Sequence, residues 1–232
     1  GSYLLTDTEK EMVEKVSKAF ARTIVVLNVG NIIDMKWVKE CNPAAVLYVW
    51  QGGQEGGNAL LDVVTGAVTP SGKLTDTWAE NYSDYPASAT FAKADGESMK
   101  EWYKEGIYVG YRYFDTFNIT PKYEFGYGLS YTDFKIETQS VTADADKVTV
   151  KVKVTNTGDV AGKDVVELYY AAPYDPAEEI EKSSVVLGAF EKTNTLKPGE
   201  SETVTLTMNV DDMASYDYKN NKCYVLSAGD YE

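Results

Sequence analysis

Carboxylates are the side chains of this sequence with both the number and the chemistry for catalysis. Asp and Glu total 36 against 22 Lys and Arg, for a net charge of −14, and histidine is absent. Without histidine there is no Ser-His-Asp or Cys-His nucleophile and no histidine-ligated metal. Cys41 and Cys223 stand far apart, outside any Cys-x-x-Cys pairing. They are expected as buried small hydrophobes rather than as a disulfide or metal site. Carboxylate chemistry is what remains.

One carboxylate sits in a conspicuous setting. Residues 51–57 read Gln-Gly-Gly-Gln-Glu-Gly-Gly, with Glu55 among the glycines. This run joins a predicted strand to a predicted helix, and ligands of open α/β sheets gather near such strand ends. Its glycines could present backbone N–H groups to an anion at the helix N-terminus. No Gly-Lys-Ser/Thr follows, so it is not a P-loop. The structural alternative is a tight turn whose Glu55 offsets the positive end of the helix, and such turns arise readily without function. Arg112, in Gly-Tyr-Arg-Tyr, is one of two arginines. It is expected to make a fixed bidentate contact with a structural carboxylate or carbonyl rather than with a ligand.

The elements that would position these groups change character along the chain. Thr6-Asp-Thr-Glu9 has the form of a capping box, followed by Met12, Val13, Val16 and Phe20 at helical spacing. Residues 23–29 and 44–50 are short, β-branched apolar runs suited to parallel strands covered on both faces. Further helices are predicted around 35–39 and 60–65, the latter closed by Gly66. Strand and helix in alternation predict part of a doubly wound open sheet. Residues 79–122 are irregular and dense in aromatics, among them Tyr82, Tyr85, Trp102, Tyr103, Tyr108 and Phe117. They suit packing, and their faces also suit stacking on sugar rings.

From Phe134 onward the period becomes two. Val148, Val150, Val152 and Val154 alternate with Thr149, Lys151 and Lys153, and Val204, Leu206 and Met208 alternate with threonines. With further runs at 165–171 and 185–190, and turn signals at 156–159 and 197–200, an all-β immunoglobulin- or fibronectin III-like sandwich of about seven strands is expected. The series breaks off at 229–232, inside a predicted hairpin, so truncation there is expected. Between the two regions Tyr123, Phe125, Tyr127 and Tyr131 flank Gly126 and Gly128. This is a docking segment, with Phe125 and Tyr131 buried and a glycine in a conformation closed to β-branched residues. The boundary is placed between 1–131 and 132–232.

Composition narrows the partners. A strongly acidic chain without a basic, aromatic-interleaved patch is a poor match for nucleic acid. No apolar run approaches the ~20 residues of a membrane span, and no basic region followed by an apolar stretch opens the chain. Localisation stays open between cytoplasmic and secreted. Asn81 and Asn118 head Asn-x-Ser/Thr sequons, of consequence only in a eukaryotic secretory setting. The preference for lysine over arginine points weakly to an AT-rich bacterial source.

Four blocks together resemble a known family. Phe-Gly-Tyr-Gly-Leu-Ser-Tyr-Thr-Asp-Phe at 125–134 is similar to the signature closing the α/β sandwich domain of glycoside hydrolase family 3, the β-glucosidases and their relatives. Residues 50–59, 69–78 and 105–115 resemble further blocks of that family, in family order. The resemblance implies a retaining hydrolase of β-glucosides whose two carboxylates stand about 5–5.5 Å apart. In the family the nucleophilic Asp lies on a (β/α)8 barrel, which needs ~250 residues of its own. The acid/base Glu lies in a Gly-Glu-Gly-x-Asp-Arg-like segment of the sandwich domain, ahead of the helix matching 6–20. Neither motif is in this chain, so the resemblance assigns it no catalytic, cofactor or metal residue, and Glu55 and Glu105 receive no role. The implied partners are a barrel domain, the remaining sandwich segment and a β-glucoside. Asp76-Thr-Trp-Ala and Asp84-Tyr-Pro-Ala-Ser resemble the bacterial subgroup in which the sandwich domain precedes the barrel. Two other readings stay open: a non-catalytic carbohydrate- or protein-binding module, and an independent α/β enzyme with residues 51–57 as its ligand site. The absence of a phosphate-binding lysine counts against the second.

Overall fold

A computed structural model describes residues 3–93, 96 and 99–232 and divides them into two compact units. The first takes described residues of Gly1–Ala67, Asp76–Lys104 and Thr120–Glu124; the second takes Val68–Thr75, Glu105–Ile119 and Phe125–Glu232.

The first unit opens on helix α1 (Asp7–Ala19). Its capping box is present: Glu9 N–H donates to Thr6 Oγ1 at 3.3 Å, and Thr6 N–H donates to Glu9 Oε2 at 2.8 Å. Two of the otherwise orphaned N-terminal donors are thereby satisfied. Strands β1 (Ile24–Leu27) and β2 (Ala45–Tyr48) pair in parallel, with Ile24 opposite Ala45. Helix α2 (Lys36–Cys41) lies between them in sequence and packs against α1, and α3 (Gly56–Val64) follows β2. Strand, helix, strand, helix therefore stand in the expected order. The expected two-faced burial of β1 does not hold: Ile24 and Val26 share one face and are 46% and 39% exposed, whereas Leu27, on the other face, is buried. Neither cysteine is in the core; Cys41 is half-buried, Cys223 exposed, and both are free thiols.

The second unit holds seven strands among its described residues, β3 (Phe134–Ala143), β4 (Lys147–Asn156), β5 (Val165–Tyr170), β6 (Val186–Lys192), β7 (Ser201–Asn209), β8 (Ser215–Asp217) and β9 (Cys223–Val225). They form an antiparallel sheet β3-β4-β7, a facing pair β5-β6 and a terminal hairpin β8-β9. The period-two reading sets the register: Val150 lies opposite Leu206 and Val152 opposite Val204. Cross-strand partners share a face, so these four side chains, with Val154, Val166 and Leu196, make the core. Lys151 is exposed on the other face.

One polar group sits inside this core. Asn156 is fully buried, and its Nδ2 donates to Val160 O and Leu196 O, both at 2.8 Å. Its Oδ1 accepts from Thr132 Oγ1 at 2.6 Å and from Gly158 N–H at 3.0 Å. Both donors and both acceptor positions of the amide are used, the condition under which a buried polar group is tolerated.

Residues 79–122 are less irregular than expected. Helix α4 (Tyr111–Thr116) forms at Tyr-Arg-Tyr-Phe-Asp-Thr, starting after Gly110 at φ 58° and burying Phe114. Six residues are too few to display helical periodicity in the sequence. Residues 94, 95, 97 and 98 of this stretch lie outside the described residues.

Candidate functional site

In the first unit, residues 51–57 follow β2 directly. Trp50 adopts φ 49°, a left-handed conformation uncommon for a residue with a side chain. The turn carries its ring to 4.4 Å from that of Tyr48, which lies 5.1 Å from Trp78. Trp78 is buried and pairs with Tyr123 through Trp78 N–H to Tyr123 O at 2.8 Å and Tyr123 N–H to Trp78 O at 3.1 Å. Burial, then Asp76, pushes the Tyr48 hydroxyl to a higher pKa, so it stays protonated.

Glu55 occupies the N-cap position of α3 and accepts from Asn58 Nδ2 at 2.6 Å. Gly56 N–H closes a turn to Gly53 O at 3.0 Å. The glycines thus build a tight turn carrying an exposed carboxylate at a helix start, in line with the structural alternative. The carboxylate at this helix start disfavours an anion there.

In the second unit, the aromatic stretch around 125–131 lies against the β5-β6 pair. Tyr111 sits 5.2 Å from Phe125 and 5.6 Å from Tyr169, and its hydroxyl accepts from Leu187 N–H at 2.8 Å. Leu74 N–H donates to Tyr127 O, and Gly126 N–H donates back to Leu74 O, each at 2.8 Å. Lys73 pairs with Asp164 at 3.0 Å and reaches Gly128 O at 3.4 Å. Gly126 has φ 78°, and a Cβ added there would lie 2.6 Å from a Glu167 carboxylate oxygen. A Cβ at Gly128 would overlap the Gly72 carbonyl oxygen. Phe125 is half-buried, but Tyr131 is 50% exposed, against expectation. Arg112 does not pair with a carboxylate among the described residues; its guanidinium lies 6.0 Å from the Tyr111 ring centroid.

Three carboxylates have settings that composition could not show. Asp217, fully buried, accepts from the backbone N–H groups of Asn220, Asn221 and Lys219 at 2.9, 3.0 and 3.1 Å. Those bonds, Asn220's foremost, hold its carboxyl below the usual range and fold the β8-β9 turn. Glu178 is held low by the Ser227 hydroxyl and then by Lys182. Lys182 Nζ, itself buried, donates to Pro173 O, Ser227 Oγ and Glu178 Oε2 at 2.6, 2.7 and 3.0 Å. A lysine beside a serine can activate a nucleophile, but this one does not. All three of its ammonium protons are donated, which leaves no lone pair to take the serine proton. Of this group, the sequence signals only the Glu178–Lys182 spacing. Glu105 is half-buried, and its Oε2 has no hydrogen-bond partner among the described residues.

Glycoside chemistry sets a standard for such carboxyls. A general acid needs a carboxyl pushed up by an apolar site or a like charge. The carboxyls with resolved shifts, Glu9, Glu137, Asp144, Glu178 and Asp217, all move down. Among the described residues no group of three or more His, Cys, Asp or Glu could hold a metal ion, and no helix is long and apolar enough to cross a membrane. Of the two sequons, Asn118 is exposed, whereas Asn81 donates its amide to Asp84 Oδ2 at 3.1 Å.

Comparison with known proteins gives one consistent answer. Residues 1–111 match the glycosyl hydrolase family 3 C-terminal domain, and residues 164–232 match a fibronectin type III-like domain. A β-glucosidase of Ruminococcus albus is 45% identical over all of this chain, which spans 24% of that protein. One from Kluyveromyces marxianus is 36% identical over 95% of the chain, which spans 25% of it, so the relatives do not single out a bacterial source. The structure of β-glucosidase 3B from Thermotoga neapolitana in complex with glucose superposes with a TM-score of 0.88 at 41% identity, over 100% of this chain and 32% of that one. The chain therefore carries the glycosyl hydrolase family 3 C-terminal domain followed by a fibronectin type III-like domain.

Proposed function

We propose that the chain is the scaffolding part of a retaining β-glucosidase and that the catalytic carboxylates come from outside it. In such an enzyme one carboxylate attacks the anomeric carbon while a carboxylic acid protonates the departing oxygen; water then releases the sugar as the acid acts as base. The observation that carries the reading is the similarity to β-glucosidases over the whole of this chain, which spans only 24% and 25% of two of them. A (β/α)8 barrel and the rest of the α/β sandwich are the partners that would supply nucleophile and acid/base, and a β-glucoside is the substrate. Within the chain, 1–131 is read as the α/β part with its docking segment and 132–232 as the β-sandwich, although residues 68–75, 105–119 and 125–131 cluster with the sandwich unit. The two family matches fall on either side of Tyr131, which supports that division.

The test is a chimera in which this chain replaces the matching segment of the Ruminococcus albus β-glucosidase. Hydrolysis of an aryl β-glucoside within about tenfold of the parent is expected. A chimera that folds, judged by circular dichroism, yet shows no hydrolysis would contradict the proposal.

A further inference from the structure

The terminal hairpin β8-β9 carries its aromatic side chains on the outside. Tyr216 lies opposite Tyr224 across the hairpin, and cross-strand partners share a face. Tyr216 is 46% and Tyr224 74% exposed. Their ring centroids stand 5.2 Å apart, with the ring planes at 65° to one another. Just past β8, Tyr218 is exposed as well, with Lys219 Nζ 6.0 Å from its ring centroid.

The hairpin is held in this shape from its other side. Asp217, next to Tyr216 and so on the opposite face, is buried and accepts from the N–H groups of Lys219, Asn220 and Asn221 and from Asn221 Nδ2. The Tyr216 hydroxyl donates to Lys222 O at 3.2 Å, which ties its ring across the turn. The rings are therefore set before anything binds, and a surface ordered in advance loses less entropy on binding.

The neighbours of the rings narrow the ligand. The turn brings Lys219, Asn220, Asn221 and Lys222 to the surface, and the one carboxylate of residues 215–226 is the buried Asp217. Lysine is depleted where proteins dock on one another, and a net charge of −14 disfavours nucleic acid. A sugar chain uses both features present: aromatic faces against its C–H surface, and amide and ammonium donors at the rim for its hydroxyl oxygens. The tilt between the two rings suits successive sugars of a soluble chain that turns from one residue to the next, rather than the flat face of a crystalline one.

We propose that the outer face of β8-β9 binds a soluble β-linked glucan chain, with Tyr216 and Tyr224 stacking on successive sugars and Asn220 and Lys222 at the rim. The choice of β-linked glucose rests on the β-glucosidase reading above; the sugar site itself rests on the hairpin.

The experiment is electrophoresis of the folded chain through native gels containing a soluble mixed-linkage β-glucan, dextran or no polymer. The β-glucan is expected to cut mobility to roughly half of that in dextran. Tyr216→Ala with Tyr224→Ala should remove the effect, because stacking is lost, and Tyr224→Ala alone should weaken it. The paired Tyr→Phe variant should keep it, as should Phe190→Ala, which removes an exposed ring on β6. No retardation by β-glucan, equal retardation by dextran, or retardation that the alanine variants retain would overturn the proposal. So would tyrosine-dependent pelleting with crystalline cellulose in place of retardation, or a mobility without polymer that falls with protein concentration until both tyrosines are replaced, which would make a second copy the occupant. A Ruminococcus albus chimera that hydrolyses its aryl β-glucoside while the chain shows no retardation overturns the hairpin site alone. Retardation beside an inactive, folded chimera supports the site and contradicts only the β-glucosidase reading.

Discussion

Asn156 shows how one side chain can fix a fold locally. Its amide joins Thr132, Gly158, Val160 and Leu196 with every hydrogen-bonding position used. Asn156→Leu would leave two carbonyls, a hydroxyl and an N–H without that partner. The expected cost is about 3 kcal/mol, read from the urea midpoint, and a change below ~1 kcal/mol would show that water substitutes for the amide. At Gly128 the constraint is steric, since a β carbon would overlap the Gly72 carbonyl. Gly128→Val should cost on the order of 1–3 kcal/mol through overpacking. Asp217 adds a pH dependence. Its folded pKa is depressed, chiefly by the Asn220 N–H, so the stability it contributes is present above its unfolded value near 3.9. That stability is lost as pH falls through the lower folded value. Asp217→Asn should flatten this acid limb of a stability–pH curve; an unchanged limb would assign it to other groups. The glycine constraint was legible in the sequence, because spaced glycines among aromatics mark close backbone approach. Asn156 and Lys182 were not: their partners lie up to 45 residues away, and a lone Asn or Lys carries no local signal of burial.

At the scale of elements, legibility followed periodicity. Val150 and Val152 sit in the core while Lys151 is exposed, so Val152→Asp should lower stability by several kcal/mol, the cost of an unpaired buried charge. Lys151→Glu should stay within about 0.5 kcal/mol. Equal shifts in the unfolding midpoint would mean a different register. Strand β3 was less legible, because Ile136, Val141 and a register shift between Thr138 and Ser140 break the alternation. Helix α4, at six residues, spans under two turns and gives periodicity nothing to repeat. For β1 the sequence pattern was right about the strand and wrong about its surroundings. An all-apolar run reports what a strand requires of its neighbours, and Ile24 and Val26 remain partly exposed on their shared face within their unit.

For the whole molecule, the change from helical to twofold periodicity near Phe134 made the two fold classes readable, and the glycine-aromatic blocks made the family readable. For the site, the sequence offered single carboxylates, and the structure gives the settings of several of them. Glu55 is an exposed residue at a helix start, Asp217 a turn former and Glu178 a lysine partner. Glu105, half-buried with one oxygen unpartnered among the described residues, serves as a second control. The decisive measurement is a prolonged aryl β-glucoside assay of the purified chain, with Glu55→Gln and Glu105→Gln variants beside it. Loss of both family carboxylates removes the covalent step and leaving-group protonation alike. The account therefore predicts no hydrolysis above the buffer rate from any of the three proteins; turnover by the unaltered chain that either variant abolishes would contradict it and make that glutamate catalytic.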